Sequence, residues 1–259
     1  MKIYIIILFL MIIPKSLFAQ NDAYSKGVFI SKTKDSLKYR LLSPEKLERN
    51  KKYPLVLFLH GAGERGTDNE SQLRHGGTLF SNPVNREKFP SFVLFPQCPP
   101  DFYWPIDKRP AEGFKNQNPF QKNPPISTQL KLVEELLTDF IKKNPIDESQ
   151  IYIMGLSMGG MGTLDFVCRH PNRFAAAIAI CGAVNTDRLR EFKGKTRFRI
   201  YHGDLDSVVS VNFSREAYKA LKDAGKEVEY IEFYGTDHNS WHPAFNTPDF
   251  LLWLYQNKK

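Results

Sequence analysis

Gly155-Leu156-Ser157-Met158-Gly159 directly follows the apolar run Ile151–Met154 and directly precedes a helical pattern carried by Met161, Leu164 and Val167-Cys168. A serine set between glycines at such a junction requires a strand that turns at once into a helix. The turn is sharp and its backbone strained, so small neighbours are needed for the chain to pass. The serine hydroxyl is then left projecting at the edge of a sheet. Gly160 and Gly162 extend the small-residue surface and let the helix pack close to the sheet. This one feature commits the chain to strands alternating with helices and makes Ser157 a candidate nucleophile.

The rest of the sequence keeps that alternation. Leu55–Leu59, Phe92–Phe95, Ala175–Ile180, Phe198–Tyr201 and Val228–Phe233 are short apolar runs. Most of them are apolar without a break, as in strands buried on both faces. Val28–Ser31 and Leu37–Leu42 read as an antiparallel opening pair. Leu130, Val133, Leu137 and Phe140-Ile141 recur at helical spacing after Ser127, a candidate N-cap. Val211–Ala224 forms another helix with Gly225 as its stop, and Thr247-Pro248 opens the last one. The expected fold is α/β, a mostly parallel central sheet with helices on both faces.

One segment departs from this rhythm. Residues 97–126 carry seven prolines together with Phe102, Tyr103, Trp104, Phe114 and Phe120. The segment follows a strand, so it emerges at the carboxyl edge of the sheet, where open α/β sheets place ligands. It is expected to overhang the active site. Trp104, with Trp241 from a later loop, is expected to contact substrate.

Lys2 precedes an unbroken apolar run from Ile3 to Ile13, and Ala19 precedes Gln20. Eleven residues are too few to span a hydrocarbon core about 30 Å thick. The pattern is that of a secretory signal peptide, residues 1–19, cut before Gln20. It leaves residues 20–259 as a single domain, secreted or periplasmic and without stable membrane anchoring. The formal net charge of +8 is scattered in pairs such as Lys51-Lys52 and Lys142-Lys143, which reads as a solvated surface and not as a nucleic-acid site. Three cysteines, Cys98, Cys168 and Cys181, leave at least one thiol unpaired within the chain, and whether Cys98 and Cys181 pair stays open. No Cys/His metal spacing is present, and no metal or cofactor is expected.

A serine hydroxyl is a weak nucleophile and needs a base, usually a histidine oriented by a carboxylate. Tyr201–Asp206 follows one late strand and Gly235–His238 follows the next. Asp206 and His238 are the candidates, giving the chain order Ser…Asp…His. Asp204 and Asp237 compete for the acid and His242 for the base, while His202 and Asp204 read as turn-shaping residues. Leu59-His60-Gly61-Ala62-Gly63 closes the first buried strand with a glycine-rich loop whose backbone N–H groups can face the site. The N–H of Met158, just after the nucleophile, supplies a second donor for an oxyanion.

The chain resembles the serine esterases and prolyl-oligopeptidase-like hydrolases of the α/β-hydrolase superfamily. LHGAGERG (59–66), PQCP (96–99), GLSMGG (155–160), HGDLDSVV (202–209) and HNSW (238–241) carry the resemblance. It implies the α/β-hydrolase fold, a Ser157/His238/Asp206 triad, and an oxyanion hole from Ala62 and Met158, with Gly63 the alternative to Ala62. It further implies hydrolysis of small-molecule or carbohydrate esters, short-chain or phenolic, without a cofactor. A small-peptide serine peptidase and a catalytically silent binding module are the alternative readings. The mature length of about 240 residues leaves no room for the propeller domain that gates prolyl oligopeptidases.

Overall fold

The computed structural model describes residues 23–115 and 118–259, so the expected leader at residues 1–19 lies outside the described residues. The strands are β1 (Ser25–Ile30), β2 (Ser36–Leu42), β3 (Tyr53–Leu59), β4 (Phe92–Pro96), β5 (Ile146–Leu156), β6 (Ala176–Ile180), β7 (Arg197–Gly203) and β8 (Val228–Phe233). They form one sheet in the order β1-β2-β4-β3-β5-β6-β7-β8. β1 and β2 are the expected antiparallel pair, and β2 also runs antiparallel to β4. From β4 to β8 every neighbouring pair is parallel.

Side chains alternate across each strand, and in β3, β4 and β6 nearly every residue on both faces is buried. Leu55, Leu57 and Leu59 face α1 (Thr128–Lys143), α2 (Met158–Arg169) and α3 (Val211–Asp223), which contribute Leu130, Met161 and Leu221 to that side of the core. Val56 and Phe58 face the opposite way, toward Phe80, Ala244 and the Phe250 and Leu254 side chains of α4 (Phe250–Gln256). A strand with two buried faces has no polar side to show, which is why these runs are apolar throughout.

The helix ends follow their local chemistry. The Ser127 hydroxyl accepts the Leu130 N–H at 3.1 Å and caps α1. Gly225 takes φ +68° after α3, and the Lys226 N–H returns to the Leu221 carbonyl at 2.9 Å. Two boundaries differ from expectation. β5 starts at Ile146 because that residue pairs with Tyr53 across a register shift. The last helix starts at Phe250, not at Pro248, because the Phe250 N–H first closes a turn onto the Thr247 carbonyl. Short helices at Gly77–Ser81, Pro83–Lys88, Thr186–Arg190 and Trp241–Phe245 were not expected, since five or six residues are too few to display a helical period.

The glycine with the least room for a side chain lies at the start of α2. A Cβ built on Gly159 would stand 1.8 Å from the Leu59 carbonyl oxygen, a backbone atom that cannot swing away. We expect Gly159→Ala to push α2 off β3 and to cost about 3 kcal/mol, the upper part of the usual overpacking range. In a chain of this size that lowers Tm by roughly 6–12 °C, measurable by thermal denaturation. No helix among the described residues is long and apolar enough to cross a membrane.

Candidate active site

β5 ends in Leu156 and α2 begins at Met158, so Ser157 is the single residue of the turn. Its backbone is at φ 52°, ψ −118°, a region that residues with a side chain rarely adopt. The Ser157 N–H donates to the Ile180 carbonyl at 2.8 Å, which pins the strained residue to β6. β7 and β8 end beside it, and their loops carry the partners. His238 Nε2 lies 2.9 Å from Ser157 Oγ, and His238 Nδ1 lies 2.8 Å from Asp206 Oδ2. A carboxylate only accepts, so Nδ1 carries the ring proton and Nε2 is left to accept the serine O–H. A hydroxyl, an imidazole and a carboxylate in this order can pass a proton from oxygen to ring while an acyl carbon is attacked.

Asp206 is fully bonded. Oδ1 accepts the N–H groups of Val208 and Val209 at 2.9 and 2.8 Å. Oδ2 accepts from His238, and His202 Nε2 lies 3.1 Å away from it. Burial alone would raise the Asp206 pKa, but the bonds from His202, His238 and the Val209 N–H outweigh it and hold the carboxyl well below the usual range. For His238 burial pulls downward, yet the bonds to Asp206 and to the Cys181 thiol prevail and the pKa moves up. His202 therefore does more than shape its turn. It is buried, its Nδ1 meets Ser214 Oγ at 2.7 Å, and its Nε2 lies between the Val209 carbonyl and the Asp206 carboxylate.

The competitors fall elsewhere. Asp204 accepts the Thr236 N–H at 3.3 Å and ties the β7 loop to the β8 loop. Asp237 accepts the N–H groups of Ser207 and His238. His242 is exposed and stacks edge-on to His75.

Ala62 and Met158 are each the first residue of a helix, so neither N–H has an intrahelical acceptor. Both line the same pocket as Ser157, together with Gly63. The loop that presents Ala62 is clamped by His60, which is buried. Its Nε2 accepts the Cys98 N–H at 3.0 Å and its Nδ1 faces the Gly61 carbonyl at 2.6 Å. Burial pushes the His60 pKa down to about 4, so it serves as a neutral clamp. Glu64 closes the loop from the pocket side, and sequence reasoning passed it over. Its carboxyl is buried, 3.6 Å from His75 Nε2 and 4.0 Å from Arg74, and burial pushes its pKa up. A Cβ on Gly61 would fall 2.8 Å from Leu156 Cδ1 and 2.9 Å from Glu64 Oε2, so the loop takes glycine there.

The pocket has a volume of about 310 Å³. Tyr103, Arg109 and Phe114 from the 97–126 segment line it, opposite Met161, Val209 and Trp241. The segment is fastened to the acid loop: Phe114 bridges to Val209 in parallel register, and the Ser210 N–H bonds to the Phe114 carbonyl. Trp241 stands edge-on to the His238 ring at 5.6 Å. Trp104 does not reach the pocket, contrary to expectation. It is fully buried, its Nε1 donates to the His60 carbonyl at 3.0 Å, and its Cβ covers Gly162. An aromatic in a proline-rich loop can pack inward as readily as face a ligand, and here the unsubstituted Gly162 made room for it. We expect Trp104→Ala to lower stability by about 3–5 kcal/mol, as for other large core truncations. Trp241→Ala should leave Tm near wild type and change the ranking of ester substrates. Thermal melts and specificity constants for both variants check this.

The sheet order, the strained serine after β5 and the hydrogen-bonded Ser157–His238–Asp206 chain define an α/β-hydrolase. Within that class the chain belongs to the phospholipase/carboxylesterase family, whose pattern matches residues 46–248. A thermostable esterase of known structure superposes with a TM-score of 0.80 at 33% identity, over 93% of this chain and 64% of that one. The carboxylesterase SOBER1 of Arabidopsis thaliana is 27% identical over 205 residues, 71% of this chain and 82% of that protein. An uncharacterized secreted protein of Arthroderma benhamiae is 27% identical over 252 residues, 82% of this chain but only 24% of that protein.

Proposed function

We propose that the protein is a secreted serine hydrolase that cleaves carboxylic esters through an acyl-enzyme. The carrying observation is the position of His238 between Ser157 Oγ at 2.9 Å and Asp206 Oδ2 at 2.8 Å. In this reading His238 removes the Ser157 proton as Oγ attacks the acyl carbon. Asp206 fixes the ring tautomer and stabilises the imidazolium. The Ala62 and Met158 N–H groups hold the oxyanion, an arrangement worth about 10²–10³ in turnover per donor. His238 then protonates the leaving alcohol, and water repeats the sequence on the acyl-enzyme.

The substrates are short-chain or aromatic acyl esters, including those of carbohydrates or phenols. The small pocket and its walls of Tyr103, Phe114, Met161 and Trp241 support this, since flat apolar side chains suit a compact or planar acyl group. In this reading residues 1–19 are removed and residues 20–259 form one domain. A fluorophosphonate probe tests the nucleophile: stoichiometric labelling of the wild type and none of Ser157→Ala is expected. Specificity constants for acetyl, butyryl, feruloyl and palmitoyl esters test the substrate class. Best activity on palmitoyl esters would overturn it.

A further inference from the structure

Cys181 is the residue immediately after β6, between the strand that delivers Ser157 and the strand that delivers Asp206. Its backbone is at φ 41°, in the left-handed region, and its N–H is held by the Tyr201 carbonyl at 2.8 Å. The side chain is fully buried and unbridged, with Sγ 3.7 Å from the His238 carbonyl oxygen. The bend therefore aims a thiol at the histidine loop. The Cys181 sulfur, one ring nitrogen of His238 and one carboxylate oxygen of Asp206 all lie within 4.8 Å of one another. Among the described residues this is the one such group of three or more His, Cys, Asp or Glu side chains.

Thiolate, imidazole and carboxylate are the donor types that bind zinc tetrahedrally, at about 2.3 Å for sulfur and about 2.0–2.2 Å for nitrogen and oxygen. Donors on such an ion stand roughly 3–4 Å apart, so small side-chain movements close the set. We propose that Cys181, Asp206 and His238 form an inhibitory binding site for a thiophilic divalent cation such as zinc. The ring nitrogen turned toward Asp206 is Nδ1, and it is the one the cation takes. The proton that Nδ1 held moves to Nε2, and the Cys181 thiol releases its proton to solvent as the sulfur becomes a thiolate ligand. Water fills the fourth position. With the ring otherwise neutral, one metal ion enters and one proton leaves. Nε2 now carries hydrogen and points it at Ser157 Oγ, so it can no longer accept the serine proton. The ion thus inactivates the enzyme by fixing the wrong tautomer and leaves the pocket itself open.

The inhibitory half rests on His238 acting as the base, whereas the binding half does not. The experiment separates them. Metal-free Ser157→Ala enzyme is titrated with Co²⁺ and watched for a thiolate-to-cobalt charge-transfer band in the near ultraviolet. Wild-type ester hydrolysis is titrated with Zn²⁺ and then with EDTA. Both titrations are repeated with Cys181→Ser and Cys181→Gly, each normalised to its own metal-free activity. The glycine variant suits the left-handed backbone, so one variant stays folded if the other does not. The expected result is a band in Ser157→Ala that is absent when Cys181 is also replaced. Zinc inhibition should be reversed by EDTA and should weaken at least about 10-fold on loss of the thiol, since even outer-shell changes cost that much in metal affinity. No cobalt band, or equal zinc sensitivity with and without Cys181, overturns the site. A Cys181-dependent band in an enzyme that zinc leaves fully active keeps the site and overturns His238 as the base.

Discussion

Ser157→Ala should abolish ester hydrolysis, with a loss of about 10⁶ in kcat, the scale seen when a serine hydrolase loses its nucleophile. The oxyanion donors and the pocket walls remain, so residual turnover above the water rate is expected. The fold should be preserved. Alanine keeps the Cβ that the φ 52° turn already accommodates, and the backbone bond to the Ile180 carbonyl is untouched. The hydroxyl contributes one hydrogen bond, to His238, and its removal shifts Tm by no more than about 4 °C. Turnover and melting temperature are measured on the same preparation. A folded variant that keeps turnover within about tenfold of wild type would remove Ser157 from the chemistry.

The second large effect concerns the acid. Asp206→Asn should reduce kcat by about 10⁴, the size of the analogous change in serine proteases. The reason is visible in the bonding. The amide oxygen can still accept the Val208 and Val209 N–H groups in place of Oδ1. The amide NH₂ then replaces Oδ2, opposite His238 Nδ1 and His202 Nε2. Donor meets donor, and His238 escapes by moving its proton to Nε2, which disables the base. Asp204→Asn should leave kcat within about threefold of wild type, because its carboxylate accepts the Thr236 N–H and not a His238 ring nitrogen, with an effect on stability near 1 kcal/mol. Comparing the two variants under one set of conditions decides the assignment. Should Asp204→Asn prove the more damaging, the acid is Asp204.

The placement of the candidate residues at one edge is readable from sequence for one physical reason. In a parallel sheet each strand ends at the same edge, so a chemistry-bearing residue just after a buried apolar run is brought there whatever the rest of the chain does. Ser157 after β5, Asp206 after β7 and His238 after β8 all satisfy this, and so does Ala62 after β3. The residues that escaped notice act through contacts between distant segments. Cys181 follows β6 just as plainly, yet nothing local announces that its sulfur is turned toward the backbone carbonyl of a histidine 57 positions later. The sequence reads His202 as a turn residue because nothing in the run His202–Asp206 shows that its ring is buried against Ser214, the Val209 carbonyl and Asp206. Glu64 sits within a recognised motif, but its burial depends on Arg74 and His75, which the motif does not include. Trp104 shows the converse. Its composition suited a ligand wall, and the absence of a side chain at Gly162 drew it into the core.

The bridge between Phe114 and Val209 bears on how such an enzyme can be re-engineered. A loop that lines a pocket is usually treated as a cassette, exchangeable for another to change what the pocket accepts. Here the cassette is stitched at Phe114 to the stretch that runs from Asp206 to the start of α3. Transplanting residues 97–126 from a relative would replace one half of that seam. The acceptor would inherit a new wall together with a displaced carboxylate, and a gain in substrate range would arrive with a loss in turnover on every ester alike. Selection on such grafts should therefore return compensating changes at Val208, Val209 and Ser210, outside the transplanted segment, before it returns changes within the wall.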